Sequence, residues 1–217
     1  LANPSPYFDK VAKELFPELK YYVMPKGETW KFKHLMAPSM SNHNDGVVTP
    51  NLPPWLRHFK GSLGIPENQK PFRKIFVSRD KAPNRKLNNA NELLMALKGW
   101  ESVVLEDLPI REQIKIFAES SHVLATHGAG LANILWCREG TKIVEIQDQE
   151  MMHKKVYPLL SNSLKLTHDV FIAKTTAITY RARVESRASG KKPKGVKRRN
   201  DLINFDVNIP KLIRHLD

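Results

Sequence analysis

Cysteine is almost absent from this chain: Cys137 is the only one among 217 residues. A lone cysteine excludes an internal disulfide and favours a reducing compartment. Long apolar runs are missing too. No stretch approaches the roughly 18 residues that a membrane helix needs, and no signal-peptide pattern is present. The one Asn-x-Ser candidate, at Asn3, is blocked by Pro4, so nothing marks the chain for glycosylation. These features together point to a cytoplasmic protein. The chain has no Gly-x-Ser-x-Gly, which removes the nucleophile elbow of an esterase, and no Asp-x-Asp, a common metal-chelating pair. It opens on Leu1 rather than Met, which suggests that residues precede it.

What is abundant is positive charge. The formal net charge is +13, and the segment from Arg181 to Arg199 alone carries nine basic residues against Glu185. That segment, with its Ser-Gly-Lys-Lys-Pro-Lys-Gly core, reads as a solvated loop that cannot bury apolar surface. A patch for nucleic acid or another anionic surface is the alternative, which makes a basic binding module the rival to an enzyme.

The first 70 residues are rich in proline and turns. A helix is predicted from about Tyr7 to Leu15, where Phe8, Val11, Ala12 and Leu15 share a face. Lys33 to Ala37 reads as a short strand, Asn42 to Gly46 as a turn, and Pro53-Pro54 opens a helix bearing Trp55, Leu56 and Phe59. From Arg73 the texture changes to alternating strands and helices. Strands are predicted at Lys74–Ser78, Ser102–Leu105, His122–Thr126 and Lys142–Ile146. Helices are predicted at Asn91–Lys98 (closed by Gly99), from near Pro109, and at Ala129–Trp136. Asn204 to Asn208 reads as an extended piece, followed by a closing helix from Ile209 to Leu216. Such alternation implies an α/β fold with a parallel sheet and helices on both faces. The expected organisation is an N-terminal region over 1–70, a Rossmann-like domain over 71–180, a basic loop over 181–200 and a closing segment over 201–217.

Ligands of such sheets bind beyond the carboxyl ends of the strands. Arg79, His127 and Gln147 should share that edge. The run His127-Gly128-Ala129-Gly130 between strand and helix admits four readings. As a dinucleotide fingerprint it has Asn133 where the third glycine belongs, and it follows a late strand rather than the first. As an esterase oxyanion loop it lacks a nucleophile to serve. As structure, the glycines allow a tight turn and His127 is a scaffold residue. As a phosphate cradle, it offers backbone N–H groups at a helix start, joined by the guanidinium groups of Arg79 and Arg85.

The co-linear signature is more specific than any of its parts. It comprises Ile75-Phe76-Val77-Ser78-Arg79; Asn84-Arg85-Lys86-Leu87 with Asn89, Glu92 and Leu93; His127 through Asn133; and Thr141 to Ile146. Over about a third of the chain it resembles the family 61 glycosyltransferases. The resemblance implies a GT-B type fold whose C-terminal Rossmann-like domain binds the donor. The region before Arg73 is too short for a second such domain, so the acceptor side should be reduced or truncated. The implied activity is inverting, metal-independent transfer from a UDP-sugar to a glycan or glycoprotein hydroxyl, with no cofactor. UDP-xylose is the first expectation and UDP-N-acetylglucosamine the second, a chlorovirus-type xylosyltransferase being a similar case. By the same resemblance, Arg79, Arg85, His127, Gly128, Ala129, Gly130 and Asn133 belong to the donor cradle, and Glu145 contacts ribose or base; a structural hydrogen-bond acceptor near a strand end is the equal alternative for Glu145. Inversion also calls for a base. Asp9, on an N-terminal helix resembling the family's aromatic-x-x-Asp helix, is the first candidate, although Ser5 stands where the family usually has a histidine. Asp45 beside His43 is the second, and a helix-start carboxylate offsetting the dipole is the structural reading of Asp9.

Overall fold

The computed structural model describes residues 6–34, 52–66, 68–82, 85–149, 155–173 and 204–216. The basic segment 181–199, the turn at 42–46 with His43 and Asp45, and Asn84 of the signature lie outside the described residues. So does most of the strand predicted at 33–37, whose first two residues form a bend.

Five parallel strands make one sheet: β1 (Arg73–Val77), β2 (Glu101–Val103), β3 (Ser120–Thr126), β4 (Lys142–Asp148) and β5 (Thr167–Ala173), in the order β2-β1-β3-β4-β5. The three interior strands are covered on both faces, which is why they read as near-continuous apolar runs. Alternation sorts their side chains. Ile75, Val77, Val123, Ala125 and Ile143 face one layer, and Phe76, Leu124, Val144 and Ile146 face the other.

The first layer contains α4 (Ile110–Glu119), an eight-residue 3-10 helix (Ala129–Trp136) and α5 (Val156–Ser163). Phe117, Leu131 and Ile134 fill it. The second contains α3 (Ala90–Ala96), the extended residues Phe205 and Val207, and the closing helix α6 (Ile209–Leu216). Gly99, at φ +76, ends the α3 region in the left-handed conformation that glycine adopts without cost.

Four elements differ from the sequence reading. β5 and α5 add a strand and a helix that no motif marked. β2 stops at Val103, because Leu105–Asp107 turns into a short 3-10 helix. The helix after His127 is 3-10 rather than α: Leu131 N–H bonds Gly128 O at 3.0 Å, and the Asn133 side chain returns to Gly130 O at 3.3 Å. Both bonds span three residues and tighten the turn.

The N-terminal region docks onto the first layer. On α1 (Pro6–Leu15), the Glu14 carboxylate accepts the Ile110 N–H at 2.6 Å, and Lys10 donates to Leu108 O at 2.8 Å. That arrangement places a carboxylate at an N-terminus whose backbone donors have no partner within the helix. On α2 (Leu52–Ser62), Phe59 lies between Phe16 and Trp136, with ring centroids 5.4 and 5.8 Å away. No helix among the described residues is long and apolar enough to cross a membrane.

Candidate active site

The chain lays β2 on one side of β1 and then returns to place β3 on the other. This reversal opens a crevice at the carboxyl ends of β1 and β3, where open α/β sheets receive their ligands. Arg79 follows β1 and His127 follows β3, so both stand at its mouth.

Arg79 lies directly over Gly128. A Cβ at position 128 would collide with its guanidinium, and the φ of 171° there is extended backbone open to any residue. Close approach, rather than conformation, is therefore what asks for glycine. Burial holds the Arg79 guanidinium below its usual range, and the charge of Arg85 pushes the same way; Glu106 and Tyr157 oppose them. Two guanidinium groups thus repel each other at one place.

Arg85 sits in the left-handed region, at φ +56. Such a backbone costs a non-glycine residue roughly 1–2 kcal/mol and persists only where the surroundings impose it. Here they do. Thr126 Oγ1 donates to Arg85 O at 3.4 Å, and Asn204 Oδ1 accepts the Lys86 N–H at 3.0 Å. Leu87 bridges Phe205, with Phe205 N–H to Lys86 O at 3.2 Å and Asn88 N–H to Phe205 O at 3.0 Å. Asn89 of the signature bonds the backbone of Val207. The extended 204–208 piece is thus the clasp that shapes the Arg85 loop.

Behind His127 runs a buried polar chain. Its Nδ1 bonds Glu145 Oε1, His168 Nε2 bonds Glu145 Oε2 at 3.1 Å, and Ser161 Oγ bonds His168 Nδ1 at 2.7 Å. Glu145 has no exposed surface. Burial alone would raise its pKa. The hydrogen bonds from His127 and His168 outweigh that and hold it below the ordinary carboxylate range. With Nδ1 committed to Glu145, Nε2 is the His127 nitrogen that remains for a ligand. Tyr157 completes the group: its hydroxyl donates to Gly128 O at 2.7 Å, and its ring lies 5.3 Å from that of His127. Burial and the Glu145 charge raise the Tyr157 phenol, against the pull of Arg85 and Arg79.

The sequence of β1, the Arg85 loop and β3 is matched by a known family: the model of the glycosyltransferase 61 family covers residues 10–144. The chain belongs to the glycosyltransferase 61 family. Its chemistry is accordingly glycosyl transfer, between a sugar donor and an acceptor. Among curated proteins, none matches the sequence. In this family 61 glycosyltransferase the match includes Arg79, Arg85 and the His127–Asn133 run, and stops one residue short of both Asp9 and Glu145.

The site residues expected of the glycosyltransferase from its sequence fall into three groups. Arg79, Arg85, His127, Gly128 and Glu145 come together around the crevice, joined by Ala129 and Gly130 at the start of the 3-10 helix. Asn133 turns inward, bonding Gly130 O and Gln113 Oε1, and Gln113 in turn holds Leu105 O and Leu108 O. Asp9 stands apart on α1, half exposed, accepting from Tyr21 and paired with Lys13 at 3.7 Å. Sequence reasoning missed Tyr157, Ser161 and His168. They carry no motif, and only the pairing of β4 with β5 brings His168 to Glu145.

Proposed function

We propose that this family 61 glycosyltransferase moves a sugar, xylose first and N-acetylglucosamine next, from a UDP-sugar to a glycan or glycoprotein hydroxyl, with inversion and without a metal. The observation that carries the reading is the convergence of Arg79 and Arg85 on the crevice between β1 and β3. Their mutual repulsion is relieved when a diphosphate arrives, and guanidinium groups bind phosphate oxygens bidentately. The leading N–H groups of the 3-10 helix at Gly128 to Gly130 lie beside them, and a helix start suits negative charge.

The reaction is a single displacement. The acceptor oxygen attacks the anomeric carbon as the carbon–oxygen bond to the diphosphate breaks. The bonding pair leaves with UDP, and the acceptor proton passes to a base. Charge grows on the departing diphosphate, where Arg79, Arg85 and the backbone N–H groups of the His127 turn stabilise it. Preorganised donors of this kind are each worth about a hundredfold or more in rate. Glu145 does not reach the donor in this scheme; it holds His127. Asp9 is assigned as the base. Helix α1 is fixed beside the start of α4 by Glu14 and Lys10, and its carboxylate is open to solvent. The architecture proposed is GT-B, with residues 1–70 on its acceptor side. A cytoplasmic setting suits the single cysteine, buried and with its thiol pushed up to about 12.

Calorimetric titration with UDP, with and without EDTA and against GDP, tests the cradle. Selective binding that EDTA leaves unchanged is the expected result, and no binding to any nucleotide would overturn the reading. Asp9→Asn should abolish turnover and keep UDP affinity, whereas Arg79→Ala should weaken UDP binding. Unchanged turnover in Asp9→Asn removes Asp9 from the mechanism.

A further inference from the structure

A cavity of about 530 Å3 lies at the opposite edge of the sheet. Its walls are the residues that lead into the strands: Lys70 before β1, Ala118 before β3, Arg138 before β4, and Leu164 and Lys165 before β5. Helix α2 closes the side with Leu56 and Lys60. Since the Arg79 cradle lies where β1 and β3 end, the two sites are separated by the length of the sheet.

The charge of the described lining is one-sided. Among the described residues, Lys60, Lys70, Arg138 and Lys165 line the cavity with Glu139 as the carboxylate, and Glu139 pairs with Lys165 at 3.4 Å on the exposed rim. Deeper in, Arg138 spans the walls, its Nε donating to Ala118 O at 3.0 Å and its Nη2 to Pro66 O. Lys60 Nζ donates to Cys137 O at 2.9 Å. An ammonium has three donors, so two more are available to a ligand. Burial is the main force pushing Lys60 down, to about 8; the Cys137 thiol opposes and Arg138 adds to it. Cys137 itself is pushed up to about 12 by burial and supplies no counter-charge at neutral pH.

We propose that this cavity is a second ligand site, which takes a small organic anion with its phosphate or carboxylate head on Lys60 and Arg138 and its apolar body against Leu56, Ile65 and Leu164. A half-desolvated ammonium next to a guanidinium is a charge arrangement that an incoming anion stabilises, and the apolar wall gives the anion's body a reason to leave water. The site is independent of the donor cradle and of the glycosyl-transfer scheme.

The proposal fixes a pH dependence. Bound anion raises Lys60 towards its ordinary value, so binding takes up a proton above pH 8. Affinity is level below pH 8 and then falls about tenfold per pH unit. The probes are phenyl phosphate, benzoate, inorganic phosphate and neutral phenol, titrated calorimetrically into the Arg79→Ala chain, so that the donor cradle is weakened. Trace acylation at pH 8 reports Lys60 directly. Phenyl phosphate or benzoate should bind and slow Lys60 acylation at least tenfold, inorganic phosphate less, and phenol not at all; which of the two organic anions is stronger identifies the head group. Lys60→Arg should keep binding and lose its decline between pH 8 and 9.5, and Lys60→Gln should lose binding. Equal protection by phenol, absence of protection by either organic anion, or unchanged affinity in Lys60→Gln would each overturn the proposal. UDP binding in the otherwise unaltered chain is expected to be the same with Lys60→Gln, so failure here is separable from failure of the transferase reading.

Discussion

The side-chain amide of Asn89 holds the backbone of Val207 with both ends, Nδ2 donating to Val207 O at 2.8 Å and Oδ1 accepting from Val207 N at 3.1 Å. One side chain thereby joins two segments 118 residues apart, one of which carries Arg85. Asn89→Ala removes both bonds and strands a buried carbonyl and N–H, which costs about 1–3 kcal/mol per orphaned group. Urea unfolding should show that loss, and UDP affinity should fall with it, because the Arg85 loop loses its support. Asn89→Asp keeps the acceptor and should lose less.

Arg85 separates shape from charge. Asn tolerates a positive φ and a β-branched residue does not. Arg85→Asn should therefore leave the thermal midpoint nearly unchanged, whereas Arg85→Val should destabilise by about 1–2 kcal/mol. Both should weaken UDP binding alike. Equal stability in the two variants would remove backbone strain from the account of this loop.

The glycines of the turn divide labour in the same way. At Gly128 an added methyl meets the mobile end of Arg79, while at Gly130 it comes within 3.0 Å of Leu105 Cδ1 in the core. Gly128→Ala should keep its stability and bind UDP several-fold more weakly. Gly130→Ala should lose about 1–3 kcal/mol by overpacking. Paired calorimetry and thermal melts read both effects.

The Glu145 carboxylate sets an acid limit. Its folded-state pKa lies below that of the unfolded chain, about 4.3, so its stabilisation is full at neutral pH and is lost as pH falls through the folded value. Glu145→Gln weakens the hydrogen bonds that His127 and His168 make to a carboxylate and should cost about 1.5–3 kcal/mol at pH 7. The gap from the unaltered protein should narrow below pH 4, as urea midpoints at pH 7 and pH 3.5 would show.

How much of this was legible beforehand follows from burial. The interior strands β1, β3 and β4 announced themselves because both faces are covered, and α6 because its apolar stripe matches the helical period. β5 did not, since an edge strand with Thr167 and Asp169 exposed shows a broken alternation. The 3-10 character of 129–136 was hidden because apolar spacings of three and four suit both helix types over so short a run. Arg79 and Gly128 could each be read from the sequence, but their stacking could not. Glu145 reads from the sequence as a donor contact or a structural acceptor near a strand end, and nothing local names its two histidine partners. His168 and Tyr157 reach the site only through sheet register, which no local pattern encodes.

The clasp also sets an order of events during synthesis. When β5 has just been polymerised, every strand of the sheet has been made, yet Phe205, Val207 and Leu212 of the second layer have not. The Arg85 loop at that moment has Thr126 behind it and still lacks the 204–208 clasp. The backbone support of the Arg85 loop is therefore a late contact, completed only once residues 204–208 have been made.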